Sequence, residues 1–199
     1  MPRPLWPLMQ GDLDGLCGLY SLLNAIRWAL YSHRIGSAKT RRAPKLLSDA
    51  EQQDLFDTLV TALGKRRPLA TFVIDGISAF ELTRLLRLSR EWLSVHRKAH
   101  LVFRRPFYRQ RTIAPRRVLS RLVKHLTTPG SAAIITLEDH WTVVRGATNR
   151  RVRVVDSGGW MFMTIGSEAQ RRAGHNGFPP SSVFLLSLTP QAGTQAERP

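Results

Sequence analysis

The chain holds one cysteine, Cys17, in 199 residues. A single cysteine excludes an internal disulfide and the zinc arrangements built on CxxC pairs, and it fits a reducing compartment. Long apolar runs are missing too. No stretch approaches the roughly 20 residues that cross a bilayer as a helix, and the start, MPRPLWPLMQGD, has no apolar core of signal-peptide length. The expectation is a soluble, cytoplasmic protein with no membrane span. A phosphate loop is also absent: Ser157-Gly158-Gly159 is too brief and does not run into Lys-Ser/Thr and a helix. His33, His96, His100 and His125 lie on or beside helical stretches without metal-ligand spacing, so neither a metal nor another cofactor is expected. Acidic residues are scarce, 14 Asp+Glu against 30 Lys+Arg, giving a formal charge of +16.

What is present suits a folded protein: 43% hydrophobic and 22% charged residues. The length predicts one domain, over residues 1–190, with 191–199 as a disordered tail. The positive charge is concentrated. From Arg84 to Lys124 there are thirteen Lys/Arg and one acid, Glu91. Such a belt is either a solvated face or an attractor for nucleic acid, an anionic surface or an acidic protein. No nucleic-acid-binding motif accompanies it.

Leu16 to about His33 reads as a helix, with Leu19, Leu22, Leu23, Ile26 and Leu30 at helical spacing. Ser48 with Glu51, and Ser78 with Glu81, have capping-box spacing and open two further helices. Between them, Leu69 to Ile74 is expected to be a short strand. Ala99 to Phe103 reads as another strand, and Pro115 to Leu126 as a helix with proline in its first turn. After Pro129-Gly130 the texture turns to β, in Ala132–Leu137, Trp141–Arg145, Val152–Val155 and Val183–Leu188, with turns at Glu138-Asp139 and Gly146–Arg150. Helices followed by an antiparallel sheet make an α+β pattern.

Cys17 falls where the Asp14-Gly15 turn meets the first helix. A lone cysteine is as a rule a small buried hydrophobe, but a helix start and a nearby imidazole are what lower a thiol's pKa. His140 follows the Glu138-Asp139 turn and opens His140-Trp141-Thr142-Val143-Val144. Sixteen residues later Asp156 closes Arg151–Val155. In a hairpin the start of one strand lies beside the end of the next, so His140 and Asp156 share one sheet edge, where the carboxylate can fix the ring's tautomer. The alternative readings are a satisfied histidine and a turn-capping aspartate. Acyl transfer also needs oxyanion donors. The Cys17 backbone N–H is one, and the side-chain amide of Gln10, upstream on the loop, is a second. Trp141 and Trp160, flanking the hairpin, read as core.

Gln10, Cys17-Gly18, His140-Trp141-Thr142-Val143-Val144 and Asp156, in that order, resemble the papain-like cysteine peptidase superfamily, closest in style to bacterial double-glycine-leader peptidases and their stand-alone relatives. The resemblance covers about residues 10–30 and 130–160. It implies a papain-like fold with the cysteine helix packed on a C-terminal antiparallel sheet. It also implies Cys17 as nucleophile, His140 as general base and acid, Asp156 as orienting carboxylate and Gln10 as oxyanion donor. The Gln10-to-Cys17 interval is one residue longer than the family's usual spacing, which leaves Asp12 or Asp14 as an alternative lining residue. The leader peptidases' place on a membrane transporter is not carried over.

The resemblance implies a thiol hydrolase cleaving a peptide or isopeptide bond through a thioester acyl-enzyme. The basic belt would suit an acidic peptide or protein substrate. The same triad serves acyl transfer to an amine. The reading from another class is a catalytically silent scaffold whose basic surface holds a partner.

Overall fold

In the computed structural model, the described residues are residue 8 and residues 15–36, 45–110, 113–137, 140–155, 162–164 and 182–190. The elements run α1 (Cys17–Gly36), α2 (Asp49–Gly64), α3 (Leu69–Asp75), α4 (Ala79–Arg97), β1 (Ala99–Arg104), α5 (Pro115–Leu126), β2 (Ser131–Leu137), β3 (His140–Ala147), β4 (Arg151–Val155), β5 (Phe162–Thr164) and β6 (Phe184–Pro190).

Both capping boxes form. Ser48 accepts from the Glu51 N–H while the Glu51 carboxylate accepts from the Ser48 N–H, and Ser78 with Glu81 repeats the exchange. Each box satisfies two backbone donors that would otherwise lack partners at the helix start. Behind the caps, Leu55, Leu59 and Leu63 of α2 meet Leu82, Leu85, Leu86 and Leu93 of α4 in one core. Arg97 at the end of α4 pairs with Glu51 at the start of α2, 2.7 Å apart, and donates to the Lys45 carbonyl. Burial works against the Glu51 charge, but hydrogen bonds from Ser48 and Arg97 outweigh it and hold the carboxyl below its usual range.

Leu69 to Ile74 is helix, not strand. Its β-prone residues, Thr71, Phe72, Val73 and Ile74, suggest an extended run. The burial pattern is not alternating, however. Phe72 is buried, the guanidinium of Arg67 lies 4.2 Å from its ring centroid, and Ile74 is exposed. A seven-residue helix with one buried side chain satisfies this short segment, and Gly76 at φ +75° ends it.

Among the described residues the sheet has six strands in the order β1-β6-β2-β3-β4-β5, all pairs antiparallel. The β run after Pro129-Gly130 appears as expected, with two differences. β3 continues through Ala147, past a register shift between Val144 and Gly146, so the turn to β4 is shorter than expected. Phe162–Thr164 adds an edge strand that its composition does not announce. Mixed helix and antiparallel sheet make the fold α+β. Asp156, Gln10, Trp160 and residues 191–199 lie outside the described residues.

The sheet is covered on both faces. On one side Trp141, Val143, Ile134, Phe184 and Leu186 pack under α1, with α2 and α4 beyond. On the other, Ala133, Ile135, Val144, Val152, Val154 and Leu185 pack against Val118, Leu119 and Leu122 of α5. Alternation along each strand sends successive side chains to opposite faces, which is why the runs are apolar nearly throughout.

His125 at the end of α5 binds this sheet. Its Nε2 lies 2.8 Å from the Leu186 carbonyl and 3.1 Å from that of Ala132. Carbonyls only accept, so Nε2 carries the proton. Burial lowers the ring's pKa below the ordinary histidine value. The two carbonyls pull it back up, and the charges of Arg121 and Arg104 push it down again. The unfolded chain therefore takes up this proton at higher pH than the folded one. The contribution to stability is whole well above pH 6.5, begins to fall near that value and is lost as pH falls through the lower pKa of the folded state. Urea midpoints should drop between pH 8 and pH 5.5, and His125→Gln should shrink the drop. An equal drop in both proteins would rule this coupling out.

Candidate active site

Cys17 is the first residue of α1. The Leu16 carbonyl already accepts from the N–H groups of Leu19 and Tyr20, at 2.8 and 3.1 Å. Helix geometry therefore leaves the N–H groups of Cys17 and Gly18 without intrahelical acceptors. Those two donors at the positive end of a 20-residue helix are the arrangement that favours a developing negative charge.

The turn before Cys17 is pinned. Gly15 donates its N–H to the Val73 carbonyl at 2.7 Å. A side chain here would meet the Phe72 carbonyl at 2.6 Å and Gly76 Cα at 2.7 Å, so only glycine permits this approach of two backbones. Upstream, Leu8 is held against α1 by the Asn24 amide. The Leu8 N–H donates to Asn24 Oδ1 at 2.8 Å and its carbonyl accepts from Nδ2 at 3.1 Å. Arg27 also donates to Asn24 Oδ1, at 3.2 Å, and steadies it. Burial lowers the Arg27 pKa, and Asp49 partly restores it. Beside this anchor a cavity of about 340 Å³ opens between α1 and α2, lined by Leu8, Tyr20, Leu23 and Phe56 with Asp49, Gln52 and Gln53.

His140 is the first residue of β3 and is half-buried. The start of β3 lies against the start of α1. A side chain on Gly18 would come within 3.1 Å of the Trp141 ring, and the Ser21 hydroxyl donates to the Trp141 carbonyl at 2.7 Å. The Trp141 indole N–H donates to the Ile77 carbonyl at 2.6 Å, and its ring stands edge-on to Phe184. Trp141 is thus core, as its sequence setting indicates. It clamps β3, α1 and the α3–α4 loop together beside the cysteine. On the other side of the hairpin, Val155 pairs with Val143.

The structure brings the helix start bearing Cys17 and the strand start bearing His140 to one neighbourhood. Within it the thiol is enclosed: Cys17 is 6% exposed, packs with the main core, and its Sγ lies 3.9 Å from the Gly15 carbonyl. Strand alternation gives His140 the face of Val144, opposite that of Trp141 and Val143. An approach of the ring to the sulfur therefore runs around the open end of β3. Thr142, fully buried on His140's face, has no hydrogen-bond partner for its hydroxyl among the described residues. The supporting side chains Ser21 and Asn24 were not singled out in the sequence. Their signal was present: two polar residues on the otherwise apolar buried stripe of α1.

Among the described residues no group of three or more His, Cys, Asp or Glu is placed to hold a metal ion, and no helix is long and apolar enough to cross a membrane. No protein-family model matches the chain, and no curated protein matches it.

Proposed function

We propose that the chain is a cysteine-dependent hydrolase on a papain-like plan, with Cys17 attacking a carbonyl and His140 moving the proton. The observation that carries this reading is the meeting of the two element starts, seen in the Gly18–Trp141 approach and the Ser21–Trp141 hydrogen bond. In the reaction, the thiolate adds to the carbonyl carbon of a peptide or isopeptide bond. The oxygen takes negative charge against the Cys17 N–H and the Gln10 amide, with Asp156 orienting the ring. The imidazolium then gives its proton to the leaving nitrogen, and a thioester remains. Water, deprotonated by the same ring, releases the acid. An amine in place of water would make the protein an acyltransferase.

The test is a p-nitrophenyl ester mixed in excess with the protein. A thiol acyl-enzyme gives a burst of nitrophenolate equal to the protein concentration and an acyl mass increment on the peptide carrying Cys17. Cys17→Ala should give neither. A wild-type protein without burst or adduct would exclude this chemistry for an activated ester.

A silent scaffold is the second reading, and two observations favour it. The sulfur is enclosed at 6% exposure, and His140 shares the face of Val144. On this reading Cys17 is a core residue and the basic surface is the working part.

A further inference from the structure

The exposed face of α5 has no role in the chemistry above. Val118, Leu119 and Leu122 fix the helix on the sheet, which fixes the opposite side outward. That side shows Arg116, Arg117, Ser120, Arg121 and Lys124, all exposed. α5 contains no acidic residue. Among the described residues the ion pairs present involve Arg67 and Arg97, both elsewhere.

The cations do not stop at the helix. α5 packs over β2 and β3, and its His125 reaches β2 and β6. β1, the edge strand beyond β6, turns exposed His100, Val102 and Arg104 to the same side, because Arg104 pairs in register with Leu185 of the α5-facing core. The result is a raised row of cations beside an exposed strip of β1 that ends in another arginine.

The geometry points to a sequence-independent binding surface for the phosphate backbone of double-stranded nucleic acid, made by the outer face of α5 with Arg104 beside it. Three features select this ligand. Arg116 to Lys124 spans about 12 Å of helix, and duplex presents one negative charge per about 1.7 Å of axis, so several phosphates fall within reach. Arginine predominates, and its planar fork suits phosphate oxygens. The row offers neither the apolar and aromatic anchors that dominate protein–protein interfaces nor exposed rings on which single-stranded bases stack. The surface is independent of the Cys17 chemistry and stands or falls separately from it.

The probe is a fluorescent 20-base-pair DNA duplex of arbitrary sequence, read by anisotropy from 50 to 200 mM KCl. Wild type should bind, with affinity falling steeply with salt and unchanged for a second, unrelated sequence. The variant R117Q/R121Q/K124Q should bind at least tenfold more weakly, with the log–log salt slope shallower by about 2 to 3, near 0.9 per lost phosphate contact. R117K/R121K, with Lys124 retained, keeps the charge and should bind within a fewfold of wild type. The variant K65Q/R66Q/R87Q removes the same charge from exposed positions on the other layer and should bind nearly as wild type. Four results would overturn the proposal: no duplex binding by wild type at 50 mM salt, equal weakening by both triple variants, equal binding of single strands, or displacement of duplex by polyglutamate as effective as by unlabelled duplex.

Discussion

Replacing His140 with alanine is expected to slow alkylation of Cys17 by iodoacetamide at pH 7 by on the order of 30-fold. The size follows from ionisation alone. A free thiol with a pKa near 8.5 is about 3% thiolate at pH 7, whereas a thiol paired with an imidazolium is almost wholly thiolate. The pH profile carries more information than the single rate. Wild type should react at a nearly constant rate from pH 6 to 8, and His140→Ala should climb about tenfold per unit. Because Cys17 is the only cysteine in the chain, the label reports one site without further engineering. Superimposable profiles for the two proteins would remove His140 from the chemistry. Slow reaction in both, relieved by mild urea, would show that the 6% exposure of Cys17 governs access.

Trp141→Ala should cost about 3–5 kcal/mol of folding stability, the largest loss expected from a single side chain here. Trp141 is 5% exposed, fills the space between Gly18, Ile77 and Phe184, and donates its indole N–H to the Ile77 carbonyl. Deletion leaves a cavity under the first turn of α1 and an unpaired Ile77 carbonyl in the α3–α4 loop. Trp141→Phe keeps most of the volume and loses the donor, and should cost about 1–2 kcal/mol. Urea unfolding followed by far-UV circular dichroism measures both. A loss under 1 kcal/mol for Trp141→Ala would mean that the start of β3 is not clamped to α1 through this residue, and would remove the main support for placing His140 near Cys17.

The elements that sequence reveals best are those whose signals are local. Ser48 with Glu51 and Ser78 with Glu81 each declare a helix start within four residues, and both boxes form. Pro115 opens α5 for a similarly local reason. The α3 segment misleads because a strand and a short helix are told apart by what lies under Phe72, which is tertiary information. The sheet order is further still from the sequence. β6 lies between β1 and β2, and no local pattern in Phe184–Pro190 names those partners.

For the site, the placement of Cys17 at the start of a helix was legible from the Asp14-Gly15 turn and the apolar run after it, which put that start at about Leu16, one residue before the observed one. The contact of that helix start with β3 was not. It depends on Gly18 leaving room for Trp141 and on Ser21 reaching a carbonyl 120 residues away. The half-burial of His140 and the enclosure of Cys17 likewise arise from packing between distant segments, and strand alternation past Trp141 bears directly on how the ring would reach the sulfur.

The position of β6 bears on how the molecule is made. During synthesis β1 and β2 emerge long before the strand that joins them, so each presents a raw hydrogen-bonding rim to the cell. The sheet can close only once β6 has been made, which exposes the half-built intermediate to mispairing with other nascent chains.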